Sequence, residues 1–342
     1  MLQELPMKLS LFSVHDHHPD LPRTQKEFYD ETLAQCVLAD QLGFNTFFVA
    51  EHHFHEYGIV PNPALFLVAA AQQTKQIRLG SAVSVLPFRN PLLVAEDYAM
   101  LDLLSNGRCV LGVGSGYLSH EFAGFNVEGK EKRERFDEAL HVLKEALRGE
   151  RISFKGKYHE VNDVAINVSP VQTPHLPVYV AVLRQEAAYY VGRQGNPLIS
   201  IPYASVASFE EIAPLILSYH KGYGESNAES AAREAIVGFH TYVADSDAVA
   251  REEAAEAFDL YVATRLYARR QTYDDIIRSG LALFGSVETV TDKLVRLYQM
   301  GVRHVAMLYN FGKLDDELVR RSMKQIAYEV APKVVERVNQ LT

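Results

Sequence analysis

The chain has 342 residues, 48% of them hydrophobic and 23% charged, with a formal net charge of −9. This is the composition of a soluble globular enzyme whose core needs no disulfide or metal staple, and its interspersed charges attract neither nucleic acid nor an anionic membrane. No apolar run approaches the roughly 20 residues of a membrane helix, the first residues do not read as a signal peptide, and Cys36 and Cys109 sit in apolar periodic segments, so a reducing cytoplasmic location is expected.

Strand-like and helix-like segments alternate almost without break. Lys8–Val14 reads as the first strand and Gln25–Leu42 as its amphipathic helix. Asn45–Ala50 is the second strand, followed by a helix over Asn62–Lys75. Ile77–Val85 with a helix over Pro91–Leu104 comes third, and Arg108–Gly114 with a helix over Glu131–Arg148 fourth. Pro177–Val182, Leu198–Ile201, Glu234–Ala244 and His304–Tyr309 supply strands five to eight. Helices over Gln185–Arg193, Phe209–Lys221, Asp247–Tyr261, Val287–Gln299 and Asp315–Val338 accompany them.

The strand segments are near-continuous apolar runs, as in parallel strands covered on both faces. Eight strand–helix units predict an α/β fold, a (β/α)8 TIM barrel in one domain over residues 1–342. An open doubly wound sheet is the alternative. Its dinucleotide fingerprint is missing after strand one, where Ser13-Val-His-Asp-His-His18 stands. Two insertions break the pattern. Residues 149–172 predict a β-hairpin outside the barrel, and residues 267–284 a short lid-like excursion over its mouth.

The strongest chemical signal is Asn45-Thr-Phe-Phe-Val-Ala-Glu51-His52-His53. A buried strand runs into a carboxylate and two imidazoles with no turn residue between, where an α/β barrel keeps its chemistry. Imidazole gives and takes protons near neutral pH. His52, Glu51 and His53 are therefore the candidate catalytic residues; a structural histidine pair satisfied by backbone is the alternative. His15-x-His17 after strand one is also the pattern of a metal-dependent barrel hydrolase. That reading needs further ligands at later strand ends, where Gly112-Val-Gly-Ser-Gly116, Val182-Leu-Arg184, Pro202-Tyr203 and Tyr309-Asn310 stand instead. No metal is expected, and His15 and His17 are expected to flank the substrate entrance.

Gly112, Gly114 and Gly116 alternate along strand four, with Ser115 and Tyr117 at its mouth. Missing side chains let a flat group lie against the backbone, although tight strand packing gives the same pattern. Together these residues describe a pocket for a planar, phosphate-bearing cofactor. Phosphate favours a helix N-terminus with a cation nearby, for which Arg184 and Arg133 are candidates. Glu96 lies in the helix after strand three; it either serves the helix dipole or points inward with Arg108 as its partner.

In order, Glu51-His52-His53-Phe54, Glu56-Tyr57-Gly58, Asn62-Pro63, Gly80, Pro91, Ala95-Glu96-Asp97, Leu101-Asp102, Ser105-x-Gly107-Arg108 and Gly112-x-Gly114-x-Gly116 form a specific set. It resembles the flavin-dependent monooxygenases of the bacterial luciferase family. The resemblance is closest over Phe48–Gly116 and resumes in Pro177-Val-Tyr-Val180 and Gly285-x-x-Glu288. It implies the barrel, reduced FMN delivered by a separate flavin reductase, and molecular oxygen. It further implies a flavin C4a-hydroperoxide that oxygenates a small organic substrate, and a dimer, here expected to be a homodimer.

By the same resemblance, His52 manages protons at the flavin–oxygen intermediate and Glu51 lies beside the flavin. Ala82-Val83 matches a cis peptide against the isoalloxazine ring, and Glu96 and Arg133 match further pocket positions. The departures matter too. Where light-emitting members carry a reactive Cys and a phosphate-binding Arg, this chain has Gly114 and Ser115; Leu183 and Arg184 replace an acidic and a hydroxyl residue. Arg184 is the expected substitute anchor for the phosphate. The chain between Arg269 and Gly285 is also shorter than the mobile lid of those members, so oxygenation without light is expected. A deazaflavin (F420)-dependent oxidoreductase of the same barrel family is the main alternative.

Overall fold

Apolar runs without polar alternation need cover on both faces, and a closed barrel wrapped in helices supplies it. The computed structural model describes residues 2–228, 233–265 and 271–341. In it, β1 (Lys8–Ser13), β2 (Thr46–Val49), β3 (Arg78–Val85) and β4 (Cys109–Gly114) precede a hairpin of β5 (Ile152–Lys155) and β6 (Glu160–Val164). Then come β7 (Val178–Val182), β8 (Leu198–Ser200), β9 (Ala235–Ala244), β10 (Ala282–Ser286) and β11 (His304–Leu308). The order β9-β11-β1-β2-β3-β4-β7-β8 closes through a β8–β9 pairing, and every pairing in that ring is parallel. All residues of β2 and β9 are buried. The eight ring strands are the eight read from the sequence.

β10 lies outside that reading. Ala282–Ser286 overlaps the end of the expected lid excursion, but it is a strand paired from Ala282↔His240 to Ser286↔Ala244. The reason is an available backbone: β9 runs past its pairing with β11, which stops at His240, and the short apolar run takes up the remainder. Of the rest of that excursion, Tyr267–Arg270 lie outside the described residues. Tyr273–Ser279 is a helix opened by a reciprocal Thr272–Asp275 capping box. Among the described residues no helix is long and apolar enough to cross a membrane.

Buried polar residues fasten the shell to the ring. Asp102 accepts from the backbone N–H groups of Cys109, Val171 and Gln172 and from the Gln172 side chain, tying β4 to the chain that returns from the hairpin. Arg108 is not the partner of Glu96. Its guanidinium donates to the carbonyls of Ala71, Thr74, Ile77 and Ser105 and to the Thr74 hydroxyl at 2.8–3.1 Å. It thereby supplies donors to the otherwise unpaired carbonyls beyond the helix Pro63–Ala71.

The end of β1 also departs from expectation. His15 has a left-handed backbone, φ 57°, and its ring sits in a box of Phe28, Tyr29 and Phe66 with centroids 4.8–6.0 Å away. His17 contacts the Arg23 carbonyl and His18 the Asp16 carboxylate. These are structural partnerships, and the three histidines are buried and do not line the cavity described below. Burial lowers the His15 pKa from 6.5 to about 3. Between those values the unfolded chain holds a proton that the folded ring refuses, so stability falls as pH drops through that window, by up to about 1.4 kcal/mol per pH unit for one group. His15→Asn, which tolerates the left-handed backbone, should flatten the difference between urea denaturation curves at pH 7 and pH 5. An unchanged difference would mean that His15 is not its source.

Candidate active site

A cavity of about 380 Å³ opens where the ring strands end, within the size of small-molecule sites. Its wall takes Phe12 and Val14 from the β1 end, Ala50, Glu51 and His52 from β2, and Ala82, Val83 and Val85 from β3. Gly114 to Tyr117 follow β4, and Ala181 to Arg184 come from β7. Tyr203, Tyr261 and Leu308 close the apolar side.

The polar wall is a chain of carboxylates and imidazoles. Glu51 is 2% exposed. It accepts from the Ser84 hydroxyl at 3.0 Å, the Val85 N–H at 3.2 Å and His53 Nε2 at 3.1 Å. His52 Nδ1 lies 3.1 Å from Glu121 Oε1, which also accepts the His53 N–H at 3.0 Å. The His52 ring stands edge-on to Tyr57, centroids 4.6 Å apart, and the Tyr57 and Tyr261 hydroxyls meet at 3.0 Å.

Beside it runs a face of small residues. The Ala82–Val83 peptide is cis, and both residues line the cavity. Glycine is required next to them. A Cβ on Gly112 would stand 2.2 Å from the Ser81 carbonyl oxygen, and one on Gly114 would stand 2.7 Å from Val83. The alternating glycines thus serve strand approach, and Gly114 and Gly116 also line the cavity.

Three cations take part in the lining. Lys132, Arg133 and Arg184 all line the cavity. Lys132 Nζ donates to the Gly116 carbonyl at 3.3 Å, and Arg133 pairs with Asp137 at 2.9 Å. Arg184 is the N-cap residue of the helix Gln185–Arg193, and its side chain makes no capping bond there. It is the cation with least structural employment.

His52, Glu51, Ala82, Val83, Gly114, Ser115, Tyr117, Arg133 and Arg184 are thus brought together around one cavity. His53 and Glu96 are not. The His53 ring turns back to Glu51 and packs on Phe88 and Phe125. Glu96 stays on the helix Pro91–Leu104, half-buried and off the cavity. The sequence reading missed Glu121, Lys132 and Tyr261. Glu121 comes from a six-residue helix, Ser119–Gly124, whose N-cap Leu118 makes no side-chain bond; so short a turn leaves neither period nor cap to read. Among the described residues, no three of His, Cys, Asp and Glu converge as a metal ligand set.

Comparison with known proteins agrees with this geometry. Residues 7–304 match the family of luciferase-like monooxygenases. An uncharacterised protein of Sinorhizobium fredii is 31% identical over 324 residues, covering 92% of this chain and 94% of that one. The oxygenase component of a flavin-dependent trigonelline monooxygenase from Acinetobacter baylyi is 28% identical over 252 residues, 73% of this chain and 69% of its own. An F420-dependent glucose-6-phosphate dehydrogenase from Amycolatopsis mediterranei is 36% identical over 171 residues, only 48% of this chain and 51% of its own. The crystal structure of a monooxygenase from Streptomyces bottropensis superposes with a TM-score of 0.88 at 26% identity, covering 95% of this chain and 99% of that one. The chain belongs to the luciferase-like monooxygenase family.

Proposed function

We propose that the chain is the FMN-dependent oxygenase of a two-component system, taking reduced FMN from a flavin reductase and using O2 to oxygenate a small organic substrate. One observation carries this reading: a single cavity joins His52, a flat small-residue face and a group of cations. Ala82, Val83 and Gly114 leave room for a planar ring system. Arg184, at the N-terminus of its helix, with Lys132 and Arg133 suits a phosphate. The bound flavin would supply the oxygen activation.

The protein's own residues do the rest. His52 holds or moves a proton at the ring nitrogen that faces the cavity. Glu51 is fixed by three donors and so keeps the wall in shape. Phe12, Tyr203, Tyr261 and Leu308 keep the opposite side dry and give an apolar substrate its place. A relative named as a flavin-dependent oxygenase component supports the assignment over most of the chain.

A homodimer is part of the proposal. Leu65 on the helix Pro63–Ala71 and Leu93, Met100, Leu103 and Leu104 on the helix Pro91–Leu104 are large apolar residues, 47–71% exposed. So much exposed apolar surface on two helices fits an association face. The two free cysteines, both buried, fit the cytoplasm. The relatives that use F420 keep one second reading in play, a deazaflavin-dependent oxidoreductase.

Three measurements test these points. Protein mixed anaerobically with reduced FMN and then with oxygen should show a near-ultraviolet transient that outlasts that of free FMN. In His52→Ala, flavin binding should persist while the transient shortens about tenfold or more. Immediate return of oxidised flavin in the native protein, together with tight binding of deazaflavin, would replace the oxygenase reading by the F420 one. Arg184→Ala should weaken FMN about 10- to 100-fold and leave riboflavin, which has no phosphate, unaffected; equal loss for both would remove Arg184 from the phosphate site. Leu65→Glu with Leu104→Glu should give a monomer by light scattering, and an unchanged dimer would move the interface elsewhere.

A further inference from the structure

Glu121 is 1% exposed, and it lies 69 residues from the histidine it contacts. Its short helix is clamped to the segment after β2 by three polar contacts. Glu121 Oε1 meets His52 Nδ1 and the His53 N–H, and His120 Nε2 meets the His53 carbonyl at 3.0 Å. Two close approaches reinforce the clamp. A Cβ on Gly124 would stand 2.4 Å from Phe54, and one on Gly58 would stand 2.8 Å from the His52 ring. The imidazole is therefore held on both its polar edge and its flank.

We propose that Glu121 is a positioning residue that fixes the tautomer of His52, so that the nitrogen presented to the cavity is an unprotonated Nε2. The argument is one of donor supply. A carboxylate oxygen only accepts, and a neutral imidazole has a single N–H. Glu121 Oε1 is shared by the His53 N–H and His52 Nδ1, and as a carboxylate it can only accept from both. The His52 proton therefore sits on Nδ1 and donates to Glu121, which leaves a lone pair on Nε2. From there His52 takes a proton from a group in the cavity and returns it, while Glu121 stays a carboxylate and steadies the imidazolium that forms. The tautomer itself does not depend on the cofactor; only its use rests on the proposed oxygenase reaction.

The test is nitrogen NMR of 15N-histidine-labelled protein without added flavin, at about pH 8.5, where an ordinary imidazole is neutral. The His52 signals are identified by their loss in His52→Gln. The native protein should show Nδ1 protonated and Nε2 bare. Glu121→Gln, whose amide oxygen can still accept both N–H groups, should keep that state. Glu121→Leu, which cannot accept, should shift the proton to Nε2 and shorten the near-ultraviolet transient about tenfold. A native His52 protonated at Nε2, or a Leu variant that keeps the proton on Nδ1, would overturn the proposal. Should the Leu variant not fold, the native tautomer alone decides. A native Nδ1–H tautomer without any flavin transient would uphold the role of Glu121 and reject the oxygenase reading instead.

Discussion

A carboxylate buried at a strand end needs donors, and the mouth of this barrel is arranged around two of them. Taking a charged group out of water costs several kcal/mol unless hydrogen bonds replace its hydration. Glu51 finds its donors in Ser84, Val85 and His53, and Glu121 in His52 and the His53 backbone. Those donors come from the end of β3 and the segment after β2, and Glu121 itself from beyond β4. The set exists only when β2 pairs with β3 from Thr46↔Arg78 to Val49↔Ser81 and the chain beyond β4 folds over it. Correct pairing of β2, β3 and β4 is thus a precondition of the site. The β3–β4 register shift between Ser81 and Ser84 lies beside the residues that reach Glu51, where such irregularities serve to re-aim side chains.

Much of this was legible because burial writes itself into composition. Parallel ring strands are apolar along their whole length, so all eight could be read from the sequence. β10 could not. Its five residues form one short apolar run ending in Gly285 and Ser286, and what makes it a strand is the free outer half of β9, a tertiary fact. The candidate site was legible where residues sit next to each other, as in Glu51-His52, and illegible where they meet across sequence. Glu121 is the plain case. Its identity is unremarkable in a helix of six residues, and its meaning comes from a contact 69 residues away. Direction was equally hidden: the left-handed backbone at His15 sends its ring into an aromatic box, and nothing in His15-Asp16-His17-His18 announces that turn.

The cavity that results has two chemical ends. One is ionic, with Glu51, His52, Glu121, Lys132, Arg133 and Arg184. The other is aromatic, with Tyr57, Tyr203 and Tyr261, and the two meet where the His52 ring stands edge-on to Tyr57. A phosphate-bearing cofactor of the kind proposed would meet cationic donors at Lys132, Arg133 and Arg184.

Burial alone does not single out His52, since other histidines of this chain are buried at least as deeply. His15 and His240 have no hydrogen-bond partner for either ring nitrogen among the described residues, and desolvation lowers both pKa values, that of His240 well below the ordinary range. They are neutral packing groups in aromatic surroundings. His304 is the opposite case: Ser10 Oγ at 2.6 Å and Glu234 Oε1 at 2.8 Å occupy both of its nitrogens, so it has nothing left to exchange. His52 has one nitrogen tied to a buried carboxylate, while its ring lines the cavity. A proton carrier needs that combination. One fixed bond orients the ring and holds its tautomer, and one open nitrogen meets the reacting group. His18 and His53 are each tied to a buried carboxylate by one nitrogen as well, so what sets His52 apart is that its half-engaged ring also lines the cavity.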